Sequence, residues 1–231
     1  LPARRISRVL PISKLDTFTW VVGLPAGALG YAGLTLFIIS VKTGDVSVNA
    51  PIFRLNFVIT SAGAMILLGE SVVWAKLLGI TFALLSVVSF AGIKSLNFSS
   101  KQASSLALVS VGSIIFGVVG ILIKYALNND AEPIPLLMTQ TIAFQIAATI
   151  YVVYAKKWKP NRATSLYSPW IAILQLIWAS LTLTALSFGE ASIIYPIVQL
   201  SFVVTAILGI ILLHEDLTKG KAVGIVLALG A

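Results

Sequence analysis

Long apolar runs alternate with short polar linkers along the whole chain. A helix rises about 1.5 Å per residue, so roughly 20 apolar residues are needed to cross the hydrocarbon core of a bilayer. Seven runs reach this length, and an eighth begins near residue 221. Because the runs are continuous and do not alternate in polarity, they predict membrane-spanning helices, not the strands of a membrane barrel. The seven runs cover residues 18–41, 48–69, 73–93, 105–127, 134–155, 168–188 and 191–213.

One apolar segment occurs twice in the chain. Residues 51–70 read PIFRLNFVITSAGAMILLGE, and residues 196–215 read PIVQLSFVVTAILGIILLHE. At this constant offset of 145 the two segments share Pro, Thr and Glu in register, and the Lys and Gly that follow them also match. Unrelated apolar helices would share aliphatic residues but not these polar and special ones. We therefore interpret the pattern as an internal duplication.

The duplication predicts the architecture. The second copy contains five helices, and subtracting the offset places two helices of the first copy before residue 1. We expect two inverted five-helix repeats in an all-α polytopic membrane protein of about ten helices. Residues 1–100 would hold helices three to five, and residues 101–231 would hold helices six to ten with the last one cut short. An odd number of helices per copy inverts the second copy in the membrane, which is typical of secondary transporters.

Composition excludes several other classes of protein. Of the 231 residues 58% are hydrophobic and 10% are charged, whereas soluble domains are about one-quarter charged. The net charge of +8 comes from short basic clusters in the linkers, which favours loops at a membrane surface over a nucleic-acid site. The chain has no cysteine, so thiolate chemistry and disulfides are excluded within it.

One apolar helix runs from Pro51 to Glu70 and is followed by a Lys and a Gly, and the same pattern recurs from Pro196. This pattern resembles that of the drug/metabolite transporter superfamily. Within it the chain is similar to the EamA-type ten-helix carriers, although His214 stands where these commonly have Gly. The resemblance implies cytoplasmic termini and transport by alternating access without ATP hydrolysis. Many relatives export amino acids or other small metabolites, and others carry nucleotide sugars or sugar phosphates.

The polar residues within the apolar runs are candidates for a substrate cavity. Arg54 lies two turns inside its helix and either snorkels to water or binds an anionic group such as a carboxylate. The repeat places Gln199 at the equivalent position and pairs Asn56 with Ser201. Residues two apart lie about 200° apart on a helix, so only one of residues 54 and 56 should face a central site. The full set is Arg54, Asn56, Gln140, Gln175, Trp178, Tyr195, Gln199 and Ser201, and the alternative for the amides is hydrogen bonding between helices.

Two further pairs of residues are related by the repeat. Pro51 and Pro196 either start their helices or, if Ser47 and Ser192 are the N-caps, bend them and free a carbonyl group. Glu70 and Glu215 lie near the membrane surface, and we favour a structural turn over a proton-coupling carboxylate for both. We also expect Lys124 to snorkel, and the glycines Gly23 and Gly27 to allow close helix packing.

No pattern in the chain indicates catalysis, a metal or a cofactor. His214 is the single histidine, and no cysteine or acidic cluster makes a metal site with it. We expect a transporter that exports amino-acid-like metabolites across a prokaryotic inner membrane. Its expected partners are the lipid bilayer and a small-molecule substrate. Coupling to protons and assembly as a homodimer are left open. An intramembrane enzyme and a non-transporting scaffold subunit are the alternatives.

The inverted repeat predicts the sidedness of two equivalent positions. Ser71→Cys and Asp216→Cys, each introduced singly, should react with a membrane-impermeant thiol reagent from opposite sides, because five helices separate them. Labelling from the same side would mean an even number of helices per copy and would rule out the inverted architecture.

Overall fold

All the regular elements of the described chain are α-helices. The computed structural model describes residues 16–91, 100–155, 162–213 and 218–230. Its helical segments confirm the eight apolar runs, two of which are each divided into two segments. They are α1 (Thr17–Thr43), α2 (Val46–Arg54), α3 (Asn56–Leu67), α4 (Trp74–Ala91), α5 (Ser100–Asn128), α6 (Pro133–Tyr154), α7 (Arg162–Phe188), α8 (Ala191–Gln199), α9 (Ser201–Leu213) and α10 (Lys219–Leu229).

Length and polarity identify a membrane protein. In the described residues five helices are long and apolar enough to cross a membrane, and two shorter apolar helices accompany them. Because the backbone of a spanning segment must satisfy its own hydrogen bonds, continuous helices are the expected solution. The protein is thus an all-α, multi-pass integral membrane protein. The five long segments are Thr17–Thr43, Val48–Leu67, Gln102–Asn128, Pro133–Tyr154 and Ser165–Phe188.

The two interrupted helices match each other at the offset of 145. One is broken at Leu55 (φ −63°, ψ −4°) and the other at Leu200 (φ −69°, ψ −5°). A ψ near zero brings the N–H toward the carbonyl three residues back, and the Leu55 N–H donates to the Ile52 carbonyl at 3.1 Å. The duplication seen in sequence is therefore repeated in backbone geometry.

The starts of these helices differ from the expectation. Ser47 and Ser192 are not N-caps, because α2 begins after Asp45 and α8 begins after Glu190. Both serines are the second residues of their helices. Pro51 and Pro196 are consequently sixth in their helices, each four residues before the interruption, and neither lies in the first turn.

The described residues form two compact units that do not coincide with the two repeats. The first unit holds the described part of Leu1–Tyr31 together with Leu122–Gly189, and the second holds Ala32–Ile121 and the described part of Glu190–Ala231. Each unit draws on both copies. The boundaries of the two repeats stay a prediction.

In the first unit, α1 packs closely on α6 through glycine. A Cβ atom at Gly23 would collide with the Thr139 side chain, and one at Gly27 would collide with the backbone carbonyl of Gln140. Tyr31 meets Phe144 edge to face, with ring centroids 5.3 Å apart. This confirms that the two glycines allow close helix packing.

Lys124 in the first unit does not snorkel as expected. Its side chain is 7% exposed, and Nζ donates hydrogen bonds to the carbonyls of Leu186 (2.9 Å) and Gly189 (2.7 Å). These carbonyls belong to the C-terminal end of α7, where intrahelical partners are missing and a positive charge is favourable. Lys124 therefore caps another helix instead of reaching for water.

In the second unit, α3 packs along α8, and α4 packs on α2, α8 and α10. Asn56 at the start of α3 bonds Gln199 at the end of α8, whereas Glu70 beyond the end of α3 bonds the first residues of α8. The two interrupted helices thus run antiparallel, as an axis in the membrane plane requires of repeat-related helices. The buried residues Phe57, Ala83 and Val87 form the apolar core here.

The tight α1–α6 contact predicts opposite effects for two glycine substitutions. Gly27→Ala should lower the unfolding temperature in detergent, because the added methyl group forces α1 away from α6 at a cost of about 1–3 kcal/mol. Gly30→Ala is the matched control, since a Cβ atom added there would meet no atom within 4 Å. It should be neutral or stabilising, because alanine favours helix over glycine. Equal melting temperatures for the two variants would contradict the packing argument.

Candidate functional site

Two repeat-related residues touch each other in the second unit. Arg54 ends α2, and Gln199 ends α8. Arg54 Nη1 lies 3.4 Å from both the side-chain oxygen and the main-chain oxygen of Gln199. Residues that occupy the same place in two symmetry-related copies can meet only close to the axis that relates the copies. This contact therefore lies near the pseudo-two-fold axis of the repeat.

Asn56 completes the polar cluster. It is 3% exposed, and its Oδ1 accepts a hydrogen bond of 2.9 Å from Gln199 Nε2. Its Nδ2 donates to the Phe53 carbonyl at 2.7 Å, close to the interruption at Leu55. Gln199 thus directs its amide oxygen to Arg54 and its amide nitrogen to Asn56.

Arg54 and Asn56 both face Gln199, although helical geometry alone would place only one of them there. The two residues lie on either side of the interruption at Leu55, and the oxygen and nitrogen of the Gln199 amide contact one each. In the sequence, the proline of each copy indicated a bend in the helix. It did not show that the interruption lies four residues further along. Gln199 thus joins Arg54 and Asn56 into one cluster.

The Arg54 guanidinium is half-buried and contacts neutral groups in the described part of the chain. Besides Gln199 it lies over the Phe202 ring, 5.4 Å from the centroid, a cation–π geometry. Both hydrogen bonds to Gln199 are at the long limit of the accepted range. Since the guanidinium carries five donors, this arrangement leaves capacity for an anionic ligand.

The other predicted cavity residues lie in different surroundings. Tyr195 packs on the core around Phe57, and Ser201 is exposed. Gln140, Gln175 and Trp178 belong to the first unit, where Gln175 and Trp178 are exposed on α7. Gln140 Nε2 is buried with no hydrogen-bond partner among the described residues. Within the second unit the structure therefore brings together Arg54, Asn56 and Gln199.

Glu70 reaches the start of α8. Its carboxylate is 9% exposed and accepts hydrogen bonds from the backbone N–H groups of Ala191 (2.6 Å) and Ser192 (2.9 Å) and from the Ser192 hydroxyl. A carboxylate is favourable there because the first N–H groups of a helix lack intrahelical partners and carry positive partial charge. Its repeat counterpart Glu215, like His214, lies outside the described residues.

An ion pair lies beside this cap. Lys76 Nζ bonds Glu190 Oε2, and the Ser71 hydroxyl donates to Glu190 Oε1 at 3.0 Å. The Lys76 hydrogen bond lowers the pKa of the Glu190 carboxyl from its ordinary value, assisted by Ser71 and opposed by desolvation. The Lys76 side chain is 5% exposed and that of Glu190 37%. Sequence analysis missed this pair, although both residues have charged counterparts at the offset of 145.

A cavity of about 400 Å³ lies between α4 and α8. Polar groups of Ser71, Lys76, Glu190 and Ser192 line it together with apolar side chains that extend along α8 to Leu200. Leu200 follows Glu190 by ten positions, which correspond to about 15 Å of helix. The cavity thus extends from the ion pair toward the level of the interruption.

No metal centre is found in the described ranges, where no group of three or more His, Cys, Asp or Glu side chains is placed to hold an ion. The chemistry of the Arg54 cluster is that of binding. It offers a cation, two amides and aromatic rings, and it contains no nucleophile paired with a base.

Comparison with known proteins places the chain in a family. A solved structure described only as "Crystal structure of protein" superposes with a TM-score of 0.76 over 99% of this chain and 80% of that one, at 14% identity, and so shares the fold. No curated protein matches the sequence. Residues 103–231, more than half of the chain, match the model of the EamA-like transporter family. The protein therefore belongs to the EamA-like transporter family and is a membrane transporter of small solutes.

Proposed function

We propose that the protein is a secondary transporter that exports a small, amino-acid-like solute with an anionic group, by alternating access across a prokaryotic inner membrane. The observation that carries the proposal is the contact between Arg54 and Gln199 near the repeat axis. The family accounts for solute transport. The class of solute and the direction belong to the proposal.

A site on the axis suits alternating access. When the two copies exchange conformations, a point on the axis keeps the same relation to both of them. A solute bound there would be held equally in the inward-open and outward-open conformations. Arg54 and Gln199 would then contact the solute in both conformations, one with a charge and the other with an amide.

The donors of this cluster fit a carboxylate. A planar guanidinium binds a carboxylate in a bidentate manner, and the Gln199 amide supplies a further neutral contact. The present bonds from Arg54 to Gln199 are long, so a carboxylate that displaced them would exchange weak neutral contacts for charge-assisted ones. The aromatic rings of Phe202 and Tyr195 in the same unit would favour a solute with an apolar side.

Coupling to protons and assembly as a homodimer remain open alternatives within the proposal. Glu70 is an unfavourable choice for a transported proton, because its carboxylate already accepts three hydrogen bonds at the start of α8. Transport assays with and without an imposed pH gradient would test the coupling.

The role of Arg54 predicts a charge-dependent loss of transport. In proteoliposomes loaded with a panel of labelled metabolites, Arg54→Gln should lower the transport of carboxylate-bearing solutes roughly 10- to 100-fold, as expected for a lost charge-assisted hydrogen bond of about 1.5–3 kcal/mol. Arg54→Lys should keep part of the activity, because the charge remains without the bidentate geometry.

Lys42→Gln is the matched control. It removes one positive charge from an exposed position in the last turn of α1, and it should transport like the wild type. If Arg54→Gln lowers only the melting temperature and leaves transport of every solute unchanged, Arg54 is a packing residue. If the wild type moves no solute under any gradient, the scaffold alternative is favoured.

A further inference from the structure

The hydrogen bonds of the Arg54 cluster form one chain with a fixed direction. Asn56 Nδ2 donates to the Phe53 carbonyl at 2.7 Å, and Asn56 Oδ1 accepts from Gln199 Nε2 at 2.9 Å. Gln199 Oε1 then faces Arg54 Nη1 at 3.4 Å. The chain thus begins at a main-chain carbonyl, which can only accept, and ends at a guanidinium, which can only donate.

These two ends determine how both amide groups are oriented. If the Asn56 amide were turned over, its oxygen would face the Phe53 carbonyl oxygen. If the Gln199 amide alone were turned over, its oxygen would face Asn56 Oδ1 and its nitrogen would face the Arg54 guanidinium. Asn56 is 3% exposed, so a lost hydrogen bond there would leave a buried polar group without a partner. The cluster therefore has one arrangement in which both amides are satisfied.

The fixed direction depends on an amide side chain at residue 56. At the offset of 145 the second copy has Ser201 in its place. A hydroxyl group rotates and serves as donor or acceptor, so it sets no direction. Asn56 is also the first residue of α3, whereas the carbonyl that it binds belongs to α2. The Asn56 amide is therefore anchored to main chain across the interruption.

A bound carboxylate would meet the Gln199 amide from its oxygen side. The carboxylate takes the place of Gln199 Oε1 on the Arg54 guanidinium, and Gln199 Oε1 is left without a donor. Since Gln199 Nε2 stays bonded to Asn56, the amide cannot turn its nitrogen toward the carboxylate. A solute with an ammonium group beside its carboxylate supplies the missing donor, and a hydrogen bond of this kind to a charged group is among the stronger ones.

We propose that Asn56 is a positioning residue that makes the site select solutes with an ammonium group next to the carboxylate. It acts through Gln199, whose amide oxygen it holds toward the position of the solute. The inference rests on the proposed function, because it requires that Arg54 binds the carboxylate. It adds the residue that rejects carboxylates without an amine.

Three pairs of acids that differ only in the ammonium group test this selection. They are alanine and propanoate, leucine and 4-methylpentanoate, and phenylalanine and 3-phenylpropanoate. Binding to the purified protein is measured by titrating each acid and following the rise in melting temperature. The wild type should bind the amino acid of at least one pair roughly 10-fold more tightly than its amine-free partner, as expected for a hydrogen bond to a charged group.

The variant Asn56→Leu should reduce this selectivity by a gain of affinity. The freed Gln199 amide can turn its nitrogen to a carboxylate, so the amine-free acid should bind about 10-fold more tightly, whereas the amino acid should bind as before. Structural damage alone would weaken both acids. Asn56→Leu that leaves the ratio of the two affinities unchanged would overturn the proposal.

Gln199→Met provides a second variant that does not disturb the Phe53 carbonyl. It removes the amide oxygen, so it should lower the affinity for the amino acid about 10-fold without weakening the amine-free acid. Adding Asn56→Leu to Gln199→Met should then change neither affinity, because Asn56 acts through Gln199. A further change in the ratio in the double variant would contradict this.

Ser113→Ala is the matched control for Asn56→Leu. The Ser113 hydroxyl is the other side chain that donates to the Phe53 carbonyl, at 3.3 Å, and it is 4% exposed. Its removal should lower the melting temperature of the solute-free protein and leave the ratio of the two affinities unchanged. Equal effects of Ser113→Ala and Asn56→Leu on the ratio would reduce Asn56 to a structural role and overturn the proposal.

The same titrations separate this inference from the proposed function. If Arg54→Gln abolishes binding but Asn56→Leu leaves the ratio unchanged, only the positioning role is rejected. A wild type that prefers the amine-free acids would likewise reject the selection and keep an anionic solute. If Arg54→Gln leaves the affinity of every acid unchanged, or if none of the six acids binds to the wild type, the proposed binding site and the inference are both rejected.

Discussion

The membrane interior supplies no water to complete the hydrogen bonds of an interrupted helix. The contacts around the two helix interruptions follow from this constraint. At the interruptions at Leu55 and Leu200 the backbone shifts to bonds over three residues. The Phe53 carbonyl accepts from Asn56 and Ser113, and the Gln199 carbonyl accepts from Arg54. Two of these three donors, Arg54 and Asn56, also belong to the polar cluster.

The charged residues near the ends of helices follow the same logic. Lys124 in the first unit donates to the last carbonyls of α7, and Glu70 in the second unit accepts from the first N–H groups of α8. Each charge has the sign that the helix dipole favours at that end. A buried charge would be costly if it were unpaired, so both are placed where a neighbouring helix leaves main-chain groups without partners. Polar residues in this apolar chain therefore join helices that are distant in sequence.

The two copies of the duplicated sequence contain the same interrupted helix. The helices α2–α3 and α8–α9 share their starts and interruptions, yet α3 packs along α8 and its counterpart contact is absent from the described residues. The contacts between α3 and α8 join residues of the first copy to residues of the second.

The sequence by itself determined the class of protein, the bounds of the helices to within a few residues, the duplication and the family. It could do so because membrane spans are set by local apolar length, and duplication by identity at a fixed offset. Within the site it singled out Arg54, Asn56 and Gln199, since polar residues in apolar runs are rare. Only the tertiary structure decided that these three meet, that Lys124 caps a helix and that Lys76 pairs with Glu190. Such contacts join residues 62 to 145 positions apart, and a pattern along one helix holds no information about which end of another helix will lie beside it.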